Sequence, residues 1–252
     1  MSEVQLHGDA SLALVTIENA GKFNAMTRAM WRQLRAVFED IQKGAWRCVL
    51  VRGADGHFCA GGDISEYPAF RFAEESLREF HEEDVWGGLA AMLECDVPIV
   101  AAIEGNCMGA GVEIACCCDI RIAADDARFG APIAKLGFPM APREAQLVQR
   151  AAGDAVVREM LLAAAVLPAA RMHTLGFVQR LLPREQLRAG VRELAERIAA
   201  LAPQAARLNK RTLRELGAAA AALDTQCAYG WAAGAEHLEG IQAFLQKRRP
   251  VF

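Results

Sequence analysis

Hydrophobic positions in the first half of the chain follow two alternating patterns. Leu12–Glu18 is a short run rich in β-branched residues, which predicts a strand. Thr27–Lys43 has the period of an amphipathic helix, and Thr27 suits its N-cap. One face of this predicted helix carries Met30, Leu34, Val37, Phe38 and Ile41. The chain is therefore expected to open with a strand followed by a helix.

The same succession continues through the middle of the chain. Arg47–Arg52, Val97–Ile103 and Ile120–Ala123 are continuous apolar runs typical of buried strands, and Met108–Cys117 is predicted as a helix. Continuous apolar strands separated by helices indicate parallel pairing, with both faces of the sheet covered. We therefore expect an α/β fold.

After Pro142 the strand pattern is lost, and helices are predicted to take over. The predicted helices are Arg143–Ala151, Asp154–Ala164, Arg184–Leu201, Pro203–Ala222 and Trp231–Lys247. The alanine-rich tract Gly217–Ala222 fits either the end of a helix or a loose joint.

Composition and charge exclude several classes of protein. A net charge of −3 argues against nucleic-acid binding through bulk positive charge. Charged residues interrupt every apolar stretch before it reaches the roughly 18 residues of a membrane span. The N-terminus lacks the basic start and apolar run of a secretory signal, so a soluble globular protein is expected. The 8 cysteines include the consecutive Cys116–Cys118 and no C-x-x-C pair, which indicates buried thiols in a reducing compartment rather than disulfides or a metal site. A cytoplasmic location is therefore expected.

Two glycine-rich loops carry the candidate chemistry. The first is His57–Tyr67 (HFCAGGDISEY), and the second is Gly105–Glu113 (GNCMGAGVE); each follows a predicted strand. Glycines let backbone N–H groups approach a ligand closely, and a helix start behind them adds free donors. Two such loops from adjacent strands could direct one N–H each at a single oxygen, as in an oxyanion hole. Neither loop matches the dinucleotide fingerprint or the P-loop.

The two loops together resemble the crotonase (enoyl-CoA hydratase/isomerase) superfamily. The resemblance is carried by FCAGGDI and GNCMGAGVEIACCCDIRIAADDARFG, by ENAGKFNAMT near the start, and by EGIQAFLQKRRPVF at the end. It implies a spiral of β-β-α turns over residues 1–195. It also implies a C-terminal helical region, residues 196–252, that assembles the chain into a homotrimer or a hexamer.

The resemblance also implies a substrate and a set of site residues. The substrate would be an acyl-coenzyme A thioester whose enolate is stabilised by the N–H groups of Gly62 and Ala110, with Glu113 as a catalytic carboxyl group. No cofactor beyond coenzyme A and no metal are implied. Glu113 follows the second loop among apolar neighbours, so burial is expected to raise its pKa towards the range useful for acid–base catalysis. The residues implied in coenzyme A or substrate binding are Lys22, Phe23, Ala60, Gly61, Asp63, Ile64, Phe244 and Lys247; Gly62 would also lie near the adenine, and Asp63 also suits a helix N-cap.

The second carboxyl group of the hydratases is missing from its usual place. The positions where relatives carry it are Ile133 and Met140 in this chain. Glu144 is the nearest remaining carboxyl group, although a glutamate just after Pro142 also suits a helix start. Three functions stay open: a hydratase of 2-enoyl-CoA, a double-bond isomerase using one glutamate, and a non-catalytic acyl-CoA-binding scaffold. A second ionisable group facing the acyl carbons would favour the hydratase, and an apolar wall would favour the isomerase.

The segment after the first glycine-rich loop and the histidines can also be interpreted from the sequence. The segment Ala69–Leu93 is expected to be either a wall of the acyl pocket or part of the core. Its aromatic candidates are Phe70, Phe72, Phe80 and Trp86. Histidines show no metal-site spacing, and we expect His57, His81, His173 and His237 to be structural or exposed.

Overall fold

Two β-sheets form the framework of the molecule. The computed structural model of the chain describes residues 2–9, 11–217 and 234–252. The strands are β1 (Ser2–Asp9), β2 (Leu12–Asn19), β3 (Cys48–Gly53), β4 (Ile99–Ile103), β5 (Asn106–Met108), β6 (Ile120–Ala124), β7 (Arg128–Gly130), β8 (Val166–Pro168) and β9 (Arg180–Leu182). The larger sheet has the order β1-β2-β3-β4-β6-β9, and the smaller sheet has the order β5-β7-β8.

Parallel pairing dominates the larger sheet, as the sequence pattern predicts. Strands β2, β3, β4, β6 and β9 pair in parallel, and β1 is added antiparallel to β2. In the smaller sheet β5 pairs in parallel with β7, while β8 runs antiparallel to β7. The carboxyl ends of β3 and β4 lead into the two glycine-rich loops, which the parallel pairing places side by side.

Helices surround both sheets. They are α1 (Arg28–Lys43), α2 (Glu74–Glu79), α3 (Trp86–Glu94), α4 (Ala110–Cys116), α5 (Pro142–Ala152), α6 (Asp154–Leu162), α7 (Ala169–Thr174), α8 (Arg184–Ala199), α9 (Pro203–Gly217) and α10 (Ala235–Leu245). Short 3-10 turns cover Ile64–Ala69 and Ile133–Leu136, and a π-helical turn, Phe80–Val85, joins α2 to α3. Each of the described helices falls short of the length or the apolar character that a membrane span requires.

The larger sheet is buried on both faces. On one face α1 inserts Trp31, Leu34 and Phe38 into the main core. On the other face α8 packs Leu187 and Val191 in a separate apolar cluster with residues of β3, β4 and β6. This double cover explains why the strands read as continuous apolar runs.

The region after Pro142 corrects part of the sequence prediction. It is not purely helical, because β8 and β9 return to the sheets, where Ile122 of β6 pairs with Arg180 of β9. These strands span three residues each, which is too short for a period of two to be visible. Similarly, the helix predicted from Met108 begins at Ala110, because Asn106–Met108 forms β5.

The cysteines within the described residues are buried, free thiols. Burial raises the pKa of the Cys48 and Cys59 thiols to about 12. Helix α4 ends at Cys116, and the consecutive Cys116, Cys117 and Cys118 pack in the main core. These side chains therefore act as small apolar groups.

Candidate active site

The two glycine-rich loops run alongside each other. Cys59 of the first loop forms a parallel bridge with Cys107 of the second. The Cys59 N–H donates to the Asn106 carbonyl at 2.9 Å, and the Met108 N–H donates back to the Cys59 carbonyl at 2.8 Å. A second bridge, between Met26 and Gly62, holds the first loop from its other side. The loops are thus fixed against each other by backbone hydrogen bonds.

Two backbone N–H groups stay available in this arrangement. The bonds around Gly62 run from the Met26 N–H to the Gly61 carbonyl and from the Asp63 N–H to the Met26 carbonyl, both at 2.8 Å, so they bypass the Gly62 N–H. Ala110 is the first residue of α4, where a helix leaves its N–H groups without an internal acceptor. Neither N–H donates to any acceptor within the described residues. Gly62 and Ala110 line the same cavity, so both can serve a ligand there.

Glycine is required at the two points where the loops touch. Gly61 has φ of +112° and Gly109 has φ of +47°, both in the region that side chains rarely adopt. A Cβ atom built on Gly109 would lie 3.6 Å from the Gly61 Cα atom. This close approach brings Gly62 and Ala110, the neighbours of the two glycines, to one edge of the cavity.

The cavity holds two carboxyl groups. Its volume is about 200 Å³, and it is lined by Glu113 from α4 and by Glu144 from α5. Ile133 and Met140, which occupy the usual positions of the second acid, also line it. The second carboxyl group in the cavity therefore comes from Glu144, which follows both usual positions in the sequence. The side chains at those two positions, Ile133 and Met140, give the cavity an apolar wall.

Glu113 is almost fully buried, with 6% of its surface exposed. Burial, and then the neighbouring charge of Glu144, raise the pKa of Glu113 well above its usual range. Its carboxyl group makes no hydrogen bond with any described residue, which leaves it free for a ligand in the cavity.

Glu144 is held by a histidine. It lies in the first turn of α5 and is 4% exposed. Its Oε1 atom is 2.7 Å from the Nδ1 atom of His81, which belongs to the π-helical turn. When Nδ1 carries the hydrogen, the ring donates to the carboxylate and fixes its orientation. His81 was predicted to be structural or exposed, and the sequence does not predict this contact with Glu144.

Aromatic rings and one arginine close the cavity on a third side. Tyr67, Phe80 and Phe138 line it together with Arg71. The Tyr67 ring is edge-on to Phe80 at 6.4 Å and to Phe138 at 6.0 Å, measured between centroids. Burial and the charges of Glu113, Glu144 and Asp63 outweigh the opposing effect of Arg71 and raise the pKa of the Tyr67 hydroxyl.

A wider pocket adjoins the cavity. This outer pocket, of about 840 Å³, lies between residues 64–82 and residues 136–142 and shares Tyr67, Arg71 and Phe138 with the cavity. Of the aromatic residues predicted to wall an acyl site, Phe80 lines the cavity and Phe72 lines the outer pocket. Phe70 is buried against Phe80, with 4.6 Å between ring centroids, and Trp86 lines neither space.

The other residues predicted for coenzyme A or substrate divide into two groups. Ala60, Gly61 and Ile64 line the cavity beside Gly62. Lys22 and Asp63 lie outside its lining and pair with each other, with 2.7 Å between Nζ and Oδ2. Burial opposes ionisation of Asp63, but hydrogen bonds from Lys22 and Ser65 lower its pKa overall. As predicted, the Asp63 side chain caps a helical turn, here by accepting from the Ser65 N–H.

Two more predicted residues, Phe23 and Lys247, lie away from the cavity lining. Phe23 is 56% exposed and stands edge-on to His57. Lys247 is exposed after the end of α10. Phe244 belongs to α10, but its side chain lies outside the described residues.

Tyr67, Arg71, His81 and Phe138 also line the cavity, although none of them was predicted as a site residue. Arg71 and His81 fall within residues 69–93, which were expected to be a wall of the acyl pocket or part of the core, and Tyr67 ends the first glycine-rich loop. No pattern in the sequence pointed to Phe138. Nothing in spacing links His81 to Glu144, 63 residues later.

The fold of the chain closely matches solved structures of other proteins. Its structure superposes on the crystal structure of an enoyl-CoA hydratase/carnithine racemase from Magnetospirillum magneticum with a TM-score of 0.96 and 34% identity, covering 100% of this chain and 96% of that one. An enoyl-CoA hydratase/isomerase family protein from Hyphomonas neptunium gives a TM-score of 0.92 at 28% identity, covering 99% and 97%. The fold is therefore that of the crotonases, a class of mixed α/β structure.

The sequence comparisons give the family. Residues 7–252 match the family described as Enoyl-CoA hydratase/isomerase. A probable enoyl-CoA hydratase of Mycobacterium bovis is 28% identical over 252 residues, covering 97% of this chain and 95% of that protein. A 2,3-dehydroadipyl-CoA hydratase of Escherichia coli is 29% identical over 260 residues, covering 100% and 99%. The chain belongs to the enoyl-CoA hydratase/isomerase family, whose name describes reactions on coenzyme A thioesters.

Proposed function

We propose that the protein hydrates a 2-enoyl-CoA to a 3-hydroxyacyl-CoA. The observation that carries this proposal is the presence of two carboxyl groups, Glu113 and Glu144, in one small cavity beside two unused backbone N–H groups. Addition of water needs one group to take a proton and another to give one, and a pair of carboxyl groups can do both.

The N–H groups of Gly62 and Ala110 would bind the thioester carbonyl. As water adds to the β-carbon, negative charge develops on that carbonyl oxygen. Each preorganised donor at such an oxygen lowers the barrier by about 3 kcal/mol. Backbone donors need no ionisation, so this contribution does not change with pH.

The two carboxyl groups would divide the proton transfers between them. Burial keeps Glu113 protonated at higher pH than an ordinary glutamate, so it is assigned as the acid that protonates the α-carbon. Glu144, oriented by His81, is assigned as the base that removes a proton from the attacking water. The water oxygen bonds to the β-carbon, one of its protons passes to Glu144, and the Glu113 proton passes to the α-carbon. Proton exchange with solvent then restores both groups.

The isomerase is the second candidate function. Ile133 and Met140 give the cavity an apolar wall where hydratases carry an acid, and Glu113 alone could move a proton along an acyl chain. The scaffold hypothesis rested on the loss of the second acid, and the burial of Glu144 in the cavity removes that reason.

We further propose that coenzyme A passes Ala60, Gly61 and Ile64 and approaches Lys22, whose ammonium group is partly exposed. Phe23 and Asp63 would support this loop, and no cofactor beyond the substrate's coenzyme A is needed. Phe244 lies on α10 and Lys247 lies just after this helix. Both would reach coenzyme A that is bound by a neighbouring subunit of a trimer or hexamer. Exposed leucines on α9 support such an assembly.

The test uses crotonyl-CoA in heavy water, followed by absorbance and by mass. We expect the enoyl absorbance to fall as the mass of one water is gained. Glu113→Gln and Glu144→Gln should each lower kcat by about 10²- to 10⁴-fold, the usual worth of a general acid or base. Glu193→Gln, on the exposed side of α8, is the matched control and should keep full activity.

Other outcomes would assign a different function. Deuterium uptake without hydration, abolished by Glu113→Gln and kept by Glu144→Gln, would support the isomerase. Tight binding of enoyl thioesters of several lengths with no change in any of them would contradict both reactions and support a scaffold.

A further inference from the structure

The acidic side chains of the outer pocket are already paired. Glu74 accepts from Arg78 at 2.7 Å, and Glu82 lies 3.3 Å from Arg143. Arg71 lines the same pocket and has no carboxylate partner within the described residues. The outer pocket therefore keeps one positive charge without a counter-ion.

Arg71 is held in place by aromatic rings. Its guanidinium carbon lies 3.7 Å from the centroid of the Phe138 ring and 4.5 Å from that of Tyr67. Rings that contact the faces of a guanidinium leave its edge, which carries five N–H donors, free for a planar acceptor. Within the described residues no acceptor uses these donors. The Arg71 guanidinium is thus held in position by the two rings, while its N–H donors have no acceptor among the described residues.

Arg71 stands where the two spaces join. It lines both the cavity that contains Glu113 and the outer pocket, and it is the only lysine or arginine among the described residues that line the cavity. It forms no ion pair with Glu113 or Glu144 within the described residues, where Glu144 instead contacts His81. Its charge is therefore available to a ligand that extends from the cavity into the outer pocket.

We infer that Arg71 binds a carboxylate at the far end of the acyl chain, so that the preferred substrates are 2-enoyl-CoA thioesters that end in a carboxylate. This inference rests on the proposed function, since it assigns the acyl group to the cavity. A carboxylate matches the guanidinium edge with two parallel hydrogen bonds. A methyl-terminated chain would leave the arginine unpaired and partly desolvated, which is unfavourable.

Coenzyme A offers a competing source of the same charge, because its phosphates are also anions. The two sources differ in one measurable respect. A phosphate contact contributes equally to every coenzyme A thioester, whereas a contact with the acyl terminus contributes only to those that carry the carboxylate.

The experiment compares matched substrates and ligands. kcat/KM is measured for 2-enoyl-CoA thioesters of five and six carbons, each with a terminal carboxylate or a terminal methyl group. Binding of the corresponding saturated thioesters is measured by calorimetry, which needs no turnover. The variants are Arg71→Met, Arg71→Lys and the control Arg192→Met, an exposed arginine on α8 that pairs with Glu196.

We expect the native protein to prefer the carboxylate in at least one length. Arg71→Met should lower kcat/KM and affinity for that thioester by about 10- to 100-fold, the worth of a charge-assisted hydrogen bond. Its effect on the methyl-terminated thioester should stay below about twofold. Arg71→Lys should lie between, because lysine keeps the charge but not the planar fork, and Arg192→Met should change neither.

Three results would overturn the inference. Equal losses for both kinds of thioester would assign Arg71 to a coenzyme A phosphate. A native preference for the methyl terminus would exclude a carboxylate subsite. Equal binding of the carboxylate-terminated and methyl-terminated saturated thioesters by the native protein would also exclude a carboxylate subsite. Absence of hydration with all substrates would contradict the proposed function instead, and the binding comparison would still decide the role of Arg71.

Discussion

At the scale of single residues, Glu113 occupies a position where ionisation is costly. The unfolded chain ionises this carboxyl near its ordinary pKa of 4.5, whereas burial and Glu144 raise the pKa in the folded protein. Between these two pKa values the folded state binds more protons than the unfolded state, so stability falls as pH rises through that window. Below about pH 4.5 both states are protonated, and the cost disappears.

Glu113→Gln is therefore expected to stabilise the protein at neutral pH. Glutamine keeps the shape of the side chain but cannot ionise, so the pH-dependent cost is removed. The melting temperature of the variant should exceed that of the native protein at pH 7 to 8, and the two should converge towards pH 4.5. Thermal melts across this range, with Glu193→Gln as the exposed control, measure the difference. A variant that is less stable than the native protein at every pH would contradict a costly buried acid.

Residues of the site differ in how far sequence could predict them. Gly62, Ala110 and Glu113 belong to contiguous motifs, and the structure places all three around one cavity. Glu144 was considered, but its position after Pro142 also suited an ordinary helix start. Its partnership with His81 depends on two helices meeting across the cavity, which local pattern does not encode. The roles of these residues stay predictions until the variants are measured.

At the scale of elements, the π-helical turn Phe80–Val85 decides where His81 points. Such a turn adds a residue to the helical repeat and shifts the side chains that follow, and it often marks a functional site. Here it is anchored by Asp84, which is 4% exposed and accepts from the Nε atoms of Arg28 and Arg32 of α1, each at 2.6 Å. The anchor fixes the register of the turn against α1.

Asp84→Ala is expected to loosen this turn and misplace His81. The loss of two charge-assisted hydrogen bonds should lower the free energy of unfolding by about 1–3 kcal/mol, since both arginines can still reach solvent. It should also lower kcat by about tenfold or more by releasing Glu144. Urea unfolding and hydratase kinetics measure the two effects, with Glu83→Ala, an exposed neighbour on the same turn, as the control.

The comparison of kcat with stability separates positioning from simple structural support. If Asp84→Ala lowers stability while kcat at saturating substrate is unchanged, the turn does not position the histidine. A shift in the pH profile of kcat towards that of His81→Gln would support the positioning role, because both changes remove the same restraint on Glu144.

Elements with a long periodic pattern were predicted well, and short ones were not. Thr27 caps α1 at the predicted place, where its hydroxyl accepts from the Met30 N–H, and the helix ends at the predicted Lys43. The strands β5, β7, β8 and β9 contain three residues each, so they are defined by their partners rather than by their own sequence. The antiparallel strand β1 was missed because it is largely exposed and lacks a continuous apolar run.

At the scale of the whole molecule, α9 is attached to the core by its basic side chains. Arg211 and Arg214 donate to Asp96 at 2.7 and 2.9 Å, and Lys210 lies 2.8 Å from Asp119. Burial opposes ionisation of Asp96, but the hydrogen bonds from Arg211, Gln42 and Arg214 outweigh it and lower the pKa of the carboxyl. This attachment therefore holds throughout the neutral range and weakens only as pH falls through the lowered pKa of Asp96.

The same helix leaves apolar side chains in solvent. Leu213 is 70% exposed and Leu216 is 58% exposed, and their spacing of three residues places them on one face. The proposed trimer or hexamer would cover this face, because burying two leucines at each contact contributes favourably to association. The boundary predicted at residues 195 and 196 falls within α8 (Arg184–Ala199), so the proposed assembling region would take in the end of α8 as well as α9 and α10.

The double substitution Leu213→Glu and Leu216→Glu is expected to shift the assembly towards monomers. Like charges brought together at the contact oppose association, while exposed glutamates on a helix cost a single chain little. Sedimentation velocity and light scattering across a range of concentrations measure the change, and circular dichroism checks that the helices stay folded. Leu162→Glu, at the exposed end of α6, is the matched control.

A native protein that is monomeric at all concentrations would contradict the proposed assembly, and dissociation by Leu162→Glu alone would place the contact away from the C-terminal helices. If the coenzyme A site is completed by Lys247 of a neighbouring subunit, the monomeric double variant should also bind coenzyme A thioesters more weakly while keeping Glu113 and Glu144 intact.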